Sequence, residues 1–88
     1  MPYFFYFARC SDGSLYAGSC VDLGAREARH NNGKGAKYTR SRRPVRVIYH
    51  EECSTLGAAR RREAEVKGWE KRRKEALVAT EEQRTSLE

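Results

Sequence analysis

The chain has 88 residues, enough for one small domain with a modest hydrophobic core. Its net charge of +6 favours a polyanionic partner, either a nucleic acid or an acidic membrane surface. No segment approaches the ~18 apolar residues of a membrane span, and the apolar N-terminus lacks the charged leader of a signal peptide. We therefore expect a single domain over residues 1–78, located in the cytoplasm and not bound to a membrane.

A β-hairpin is predicted at the N-terminus. Aromatic residues fill positions 3–7, which favours a strand over a helix, and Asp12-Gly13 supplies turn residues just beyond. The residues from Ser14 to Gly18 then form the returning strand.

The length of the hairpin loop decides which sheet face each tyrosine occupies, because side chains alternate along a strand. A two-residue turn would place Tyr6 and Tyr16 on opposite faces. A three-residue loop with Gly13 in the left-handed conformation would pair Ala8 with Tyr16, so both tyrosines would share one face. We prefer this register because it separates a polar aromatic face from an apolar one. The apolar face would carry Phe5, Phe7, Leu15 and Ala17.

A basic helix is predicted after the hairpin. Asp22 is a good N-cap residue, and Asn31-Asn32-Gly33 marks the end of the helical pattern. Arg26 and His30 are four residues apart, so they lie on one helical stripe and can face the hairpin together. A cation beside a proton acceptor indicates a phosphate-binding site.

The segment from Gly33 to Arg46 is basic and contains glycine, a mixture suited to contacts with a nucleic-acid backbone. Tyr38 adds one ring for base stacking. On charge alone a solvated loop is the better interpretation, whereas the position directly after the basic helix favours substrate contact. The residues predicted to bind nucleic acid are Lys34, Lys37, Tyr38, Arg40, Arg42 and Arg43.

A third strand is predicted from Val45 to Glu52, and it would complete a small sheet with the hairpin. Alternation along this strand would place Val45, Val47 and Tyr49 on the same face. Three cysteines are scattered along the chain without disulfide or zinc spacing, so we expect them to be reduced and half-buried: Cys10, Cys20 and Cys53.

A longer helix follows, capped by Ser54 or Thr55. Glu63 lies within its apolar stripe, where a carboxylate is costly to bury unless an arginine or a metal ion compensates it. An ion pair with Lys67 is the simpler interpretation, and metal binding is the alternative. Glu65 is offset by about 200° and would point away. The rest of the stripe is formed by Leu56, Ala59, Val66 and Trp69.

The C-terminal part is predicted to be a charged helix that docks through Ala76, Leu77 and Val78. Residues 79–88 have little apolar content, which predicts a frayed or flexible tail. The terminal Leu87-Glu88 is typical of a cloning remnant, so we expect it to have no functional role.

Taken together, these segments resemble the GIY-YIG nucleases, and especially the small stand-alone bacterial members of the URI type. Phe4-Phe5-Tyr6 stands in place of the GIY triplet, and Tyr16-Ala17-Gly18 stands in place of YIG. The segment from Asp22 to His30 is similar to the arginine helix of the family, and Glu63 to its later glutamate. The resemblance implies an α+β fold, with a small three-stranded antiparallel sheet flanked by helices.

The resemblance also implies a metal-dependent endonuclease that hydrolyses DNA phosphodiester bonds, with a role in DNA repair or recombination. It implies one divalent cation, Mg2+ or Mn2+, on Glu63 and makes Arg26 the clamp on the scissile phosphate. Tyr6 and His30 would orient or deprotonate the attacking water, and Tyr16 would contact the water or a phosphate oxygen. Because an unperturbed tyrosine has a pKa of about 10, Tyr6 could act as a base only if nearby positive charge favoured its phenolate.

Two other functions compete with this one. The domain could be a DNA- or RNA-binding module without catalysis, or it could dock on a repair protein.

Departures from the family pattern bear on catalytic strength more than on the fold. Phe4 and Phe5 replace the glycine and isoleucine of GIY, and Gly24-Ala25 stands where charged residues are common before the arginine.

Overall fold

One antiparallel sheet with helices on both faces makes up the fold. The computed structural model describes residues 2–86, with side chains over residues 2–81. The strands run in the spatial order β2-β1-β3, which confirms the predicted α+β class and three-stranded antiparallel sheet. In chain order the elements are β1 (Tyr3–Arg9), β2 (Leu15–Cys20), α1 (Leu23–Asn31), α2 (Lys37–Arg40), β3 (Arg46–Cys53), α3 (Leu56–Lys67) and α4 (Lys71–Ser86).

The hairpin of β1 and β2 has the three-residue loop. Ala8 pairs with Tyr16, and Gly13 has a φ of 85°, which is the left-handed conformation that this loop requires. The predicted register is therefore confirmed, and Tyr6 lies on the same face as Tyr16.

Each face of the sheet packs against different helices. The face below α3 and α4 has a core formed by Phe5, Phe7, Ala17, Tyr49, Val66 and Val78. The face below α1 has a second core formed by Tyr6, Ala8, Cys10, Cys20 and Val45. The predicted polar aromatic face is therefore not a solvent surface, because α1 covers it.

Strand β3 does not alternate as predicted. A register shift pairs Phe7 with Tyr49 but the next residue, Ala8, with Val47, so one residue of β3 falls between the two pairs. Such a bulge reverses the alternation of side chains. Val45 and Val47 consequently pack on the α1 side, whereas Tyr49 joins the core below α3 and α4. The expectation that all three share one face is wrong.

Side-chain hydrogen bonds cap the first turns of α1 and α3, the two helices whose starts the sequence predicts. Asp22 Oδ1 accepts a hydrogen bond from Ala25 N over 3.0 Å at the start of α1. Thr55 Oγ1 accepts one from Ala58 N over 3.0 Å at the start of α3. These bonds satisfy backbone donors that the first helical turn leaves free, so both predicted starts are confirmed.

Helix α4 continues to Ser86 and so does not end near Val78, where the sequence predicts a frayed tail to begin. It docks through Leu77 and Val78, whereas Ala76 is exposed. The domain boundary stays a prediction, and Leu87-Glu88 lie outside the described residues. No helix among the residues that the structure describes is long and apolar enough to cross a lipid bilayer.

Candidate active site

A cleft of about 300 Å3, here termed the phosphate cleft, opens between β2, α1 and the segment before α2. Arg26, Arg29 and Lys34 contribute three cations to its lining, so it suits an anion. Arg26 and His30 both face it, as expected from their spacing on α1. The complete lining is Tyr16, Arg26, Arg29, His30, Lys34, Gly35 and Ala36.

Three side chains beneath the cleft are joined by buried hydrogen bonds. Tyr6 Oη lies 2.8 Å from His30 Nε2, and His30 Nδ1 lies 2.9 Å from Thr39 Oγ1. The Thr39 hydroxyl donates its only proton to the carbonyl oxygen of Ala36 over 2.9 Å. It must therefore accept from His30 Nδ1–H, which leaves Nε2 of the neutral imidazole to accept the proton of Tyr6.

Burial sets the protonation states of this pair. It lowers the pKa of His30 below the ordinary 6.5, and the charges of Arg26 and Arg29 lower it further. Burial also raises the pKa of Tyr6 well above its ordinary value, with Tyr16 adding to the rise and Arg26 opposing it. The positive charge expected beside Tyr6 is thus present, but desolvation outweighs it. Near pH 7 the pair is a neutral imidazole and a protonated phenol.

Two glycines allow the close approach of these side chains. A Cβ on Gly18 would lie 2.5 Å from the Tyr6 hydroxyl oxygen, and a Cβ on Gly35 would overlap the His30 imidazole. Gly18 ends the predicted Tyr16-Ala17-Gly18 segment, whereas sequence reasoning gave Gly35 no role. Its position after Lys34 in a basic segment carries no signal of this contact.

Ser19 connects the phosphate cleft to Glu63. Arg26 Nη1 donates to the carbonyl oxygen of Ser19 over 3.2 Å, and the Ser19 hydroxyl donates to Glu63 Oε1 over 2.9 Å. Lys67 Nζ donates to Glu63 Oε2 over 2.6 Å, which is the ion pair that the helical spacing predicts. The Glu63 side chain is 20% exposed, whereas that of Glu65 is 56% exposed and lies outside this network.

The surroundings of Glu63 fit a weakly held divalent cation. Its carboxylate and the neighbouring Ser19 hydroxyl are hard oxygen donors of the kind that Mg2+ and Mn2+ prefer. Within residues 2–81, whose side chains the structure describes, no group of three or more histidine, cysteine, aspartate and glutamate side chains converges as a metal site. Water and substrate oxygens would have to complete the coordination, and Lys67 would compete for the carboxylate.

Arg42 and Arg43, both predicted to bind nucleic acid, hold the basic segment in place. Arg42 donates to Asp12 Oδ2 over 3.0 Å and to the carbonyl oxygen of Tyr38 over 2.8 Å. Arg43 Nη1 donates to the carbonyl oxygen of Asn31 over 3.3 Å. These bonds attach the segment to the hairpin loop and to α1.

The other predicted cations are free to meet a ligand. Lys34, Lys37 and Arg40 are exposed, and their side chains have no hydrogen bond or ion pair within the part of the chain described. The segment is not a loop throughout, because residues 37–40 form helix α2. This turn buries Thr39, which sequence reasoning missed.

Tyr38 is 40% exposed, yet its ring is already engaged within the protein. It stacks on Tyr16, with the ring centres 6.1 Å apart and an angle of 26° between the planes. The guanidinium of Arg42 lies 3.9 Å from the centre of the Tyr38 ring. The ring predicted for base stacking is therefore part of a fixed aromatic wall that includes Tyr16.

The comparisons with known proteins agree with this architecture. The GIY-YIG catalytic domain matches residues 2–76. A UPF0213 protein of Staphylococcus epidermidis is 46% identical over 76 residues, which cover 86% of this chain and 93% of that protein. A UPF0213 protein of Bacillus pumilus is 47% identical over 76 residues, which cover 86% of this chain and 78% of that protein.

Two solution NMR structures are similar to the fold. The UPF0213 protein BH0048 of Bacillus halodurans gives a TM-score of 0.58 at 41% identity, covering 91% of this chain and 85% of that one. The protein EF2693 of E. faecalis gives a TM-score of 0.61 at 38% identity, covering 100% of this chain and 90% of that one. Because the catalytic-domain match spans most of the chain, the protein belongs to the GIY-YIG family.

Proposed function

We propose that this protein is a metal-dependent endonuclease that hydrolyses phosphodiester bonds in DNA. The GIY-YIG family is a nuclease family whose members generally depend on a divalent metal. The observation that carries the proposal is the buried hydrogen bond from Tyr6 to His30 beneath a cationic cleft, with Glu63 linked to that cleft through Ser19. DNA is the substrate that the family match indicates, and RNA is the alternative polyanion.

Arg26 would bind the scissile phosphate in the phosphate cleft. Its planar guanidinium can donate two parallel hydrogen bonds to phosphate oxygens, and Ser19 already orients it. Arg29 and Lys34 would add positive charge around the same phosphate. The clamp both positions the phosphorus and stabilises the negative charge that develops on its oxygens.

Tyr6 and His30 would act as one proton relay. The Tyr6 oxygen would take a proton from the attacking water while the Tyr6 proton passes to His30 Nε2. The net acceptor is then His30, so no free phenolate is needed despite the raised pKa of Tyr6. Tyr6 has no exposed surface, so the substrate has to part the cleft walls before water reaches its hydroxyl.

Tyr16 forms the wall of the phosphate cleft that would either move aside or contact the substrate. Its ring lies 5.2 Å from the His30 ring and 6.4 Å from the Tyr6 ring, centre to centre. Its hydroxyl would bind a phosphate oxygen or the attacking water. Glu63 would hold the divalent cation, which when bound supplies Lewis-acid stabilisation of phosphoryl oxygens and the departing alkoxide.

The Glu63→Gln variant tests the proposal, with Glu65→Gln as a charge-matched control on the same helix. End-labelled single-stranded, duplex and branched DNA would be incubated with each protein in Mg2+ or Mn2+, with and without a chelator. We expect cleavage by the wild type and by Glu65→Gln, and none by Glu63→Gln or with the chelator. Equal cleavage by all three proteins would contradict a metal role for Glu63.

One observation favours a second candidate, a nucleic-acid-binding module without catalysis. Lys67 already neutralises Glu63, as in a purely structural ion pair. In that case the wild type would bind DNA or RNA tightly at low salt, and no metal would produce cleavage. Docking on a repair protein is compatible with either function, and it would be tested by adding a candidate partner to the same assay.

A further inference from the structure

A second cleft adjoins the phosphate cleft at Tyr16, which belongs to the lining of both. Its volume is also about 300 Å3, which is at the small end for ligand sites in proteins. Residues of β2, α2, α3 and α4 line this second cleft: Leu15, Tyr16, Ala17, Tyr38, Lys67 and Lys74.

The lining of the second cleft is apolar and aromatic on one side and cationic on the other. The apolar and aromatic side consists of Leu15, Ala17 and the stacked rings of Tyr16 and Tyr38. Lys74 is half-buried, and its ammonium has no hydrogen bond or ion pair within the described part of the chain. An unpaired cation in the same cleft as aromatic rings suits a ligand that combines a flat apolar group with an anion.

We propose that the second cleft binds one nucleotide of the substrate strand, adjacent to the phosphate held by Arg26. The base would lie against Tyr16 and Tyr38, and the phosphate of that nucleotide would bind Lys74. The inference rests on the proposed function, because it needs a nucleic-acid strand in the phosphate cleft. A base can lie against these aromatic side chains only when it is not stacked within a duplex, so the nucleotide must be unpaired.

Lys74 is the residue that tests this subsite most cleanly. Lys67 also lines it, but Lys67 is bound to Glu63, so its replacement would disturb the candidate metal site. Arg72 provides the control because it is exposed on the same helix and about 200° away from Lys74 around the axis. Lys74→Ala and Arg72→Ala each remove one positive charge from α4.

The experiment measures binding alone, in a chelator that prevents cleavage. Fluorescence anisotropy of a labelled oligothymidylate would give the affinity of each protein over a series of salt concentrations. We expect Lys74→Ala to weaken binding about three- to tenfold and to reduce the salt slope by about 0.7, the value for one phosphate contact on a single strand. Arg72→Ala should bind like the wild type.

Each other outcome counts against a defined part of the inference. Equal losses of affinity in Lys74→Ala and Arg72→Ala would show that only the net charge of the protein matters, and would overturn the subsite. Wild-type affinity in Lys74→Ala would overturn the subsite and leave the proposed function standing. No binding of any single strand, duplex or branched DNA by the wild type would overturn both.

A second comparison tests the base-binding wall. We expect the wild type to bind oligothymidylate about tenfold tighter than an abasic strand of the same length, because bases gain from aromatic contact. Tyr38→Leu removes the ring but keeps the backbone carbonyl to which Arg42 donates. We therefore expect this variant to lose most of that difference in affinity. An unchanged preference for the strand with bases would show that they do not contact this wall. Circular dichroism would verify that the variant is folded.

Discussion

The proton positions in the buried chain from Tyr6 to Thr39 decide whether Tyr6 can pass a proton to His30. Thr39 is the anchor, because its own proton is committed to Ala36 and it can only accept from His30. This places the imidazole proton on Nδ1 and keeps Nε2 available to Tyr6. Thr39 is thus a positioning residue that never needs to touch the substrate.

Replacing Thr39 by valine, which has nearly the same shape, should release this anchor. A buried His30 Nδ1–H would lose its acceptor, which costs about 1–3 kcal/mol of stability or shifts the proton to Nε2. Nitrogen chemical shifts of His30, measured without DNA or metal, report the tautomer directly. Thr39→Ser keeps the hydroxyl and should retain the wild-type tautomer. A wild-type imidazole protonated on Nε2 would contradict the arrangement.

The relay also has a signature in the pH dependence of cleavage. Burial, Arg26 and Arg29 keep the pKa of His30 below 6.5, so His30 is a competent acceptor above that pH. As the pH falls through this lowered pKa, His30 gains a proton and single-turnover cleavage should decline. Above 6.5 the rate should be flat. A rate that instead rises about tenfold per pH unit towards pH 10 would contradict the relay, because a group that must first lose its own proton, such as a free phenolate, gives that slope.

For individual residues, the sequence indicated the candidate reactive side chains but not all of the residues that hold them in position. Tyr6, Tyr16, Arg26 and His30 could be grouped because strand and helix periodicities place them on common faces. Ser19 and Thr39 could not be found in that way. Their roles depend on hydrogen bonds to residues far along the chain, and hydroxyl residues in short segments are too common to predict such contacts.

Among the secondary-structure elements, β2 and α1 carry glycines with opposite requirements. Gly18 faces the Tyr6 ring directly, with 2.5 Å between an added Cβ and the hydroxyl oxygen. Gly24, in the first turn of α1, has only Asp22 Oδ1 nearby, 3.7 Å from an added Cβ. One glycine is required by packing, whereas the other only weakens its helix.

Alanine at these two glycines should therefore change stability in opposite directions. Gly18→Ala forces the fully buried Tyr6 ring to move, and we expect a loss of about 1–3 kcal/mol. Gly24→Ala should gain about 0.5–1 kcal/mol because alanine has the higher helix propensity. Urea unfolding of both variants beside the wild type measures the difference. A Gly18→Ala protein as stable as the wild type would show that Tyr6 is less tightly confined than the structure indicates.

The starts of α1 and α3 and the hairpin register were predictable because local chemistry specifies them. Gly13 permits the loop, and Asp22 and Thr55 cap the helices. The bulge in β3 was not predictable, since it depends on pairing with β1 across a long stretch of chain. Periodicity within the third strand alone therefore placed Tyr49 on the same face as Val45 and Val47, which is wrong.

On the scale of the whole molecule, the net charge of +6 does not identify the binding surface, because cations occur on nearly every element. Arg42 and Arg43 are engaged in structural hydrogen bonds, whereas Lys37 and Arg40 are exposed on α2, which directly follows the segment that lines the phosphate cleft. We therefore expect the surface around α2 to provide more of the DNA affinity than other basic patches of equal charge.

The double variant Lys37→Ala/Arg40→Ala tests this expectation. Its affinity for a short duplex should fall, and the salt slope should decrease by up to about 1.8, which corresponds to two phosphate contacts. Arg60→Ala/Arg61→Ala removes the same charge from the exposed side of α3 and should have a smaller effect. Identical salt slopes for both double variants would exclude a localised binding surface at α2.

Strand β1 is the first element of the chain and the central strand of the sheet, with β2 and β3 on its two sides. Tyr6 is therefore carried by the part of the fold whose amides should exchange with solvent only when the whole molecule unfolds. A destabilising substitution elsewhere should lower the number of folded molecules without loosening the site in those that remain. Across such variants, activity should follow the folded fraction, and hydrogen exchange at residues 5–7 should follow global stability.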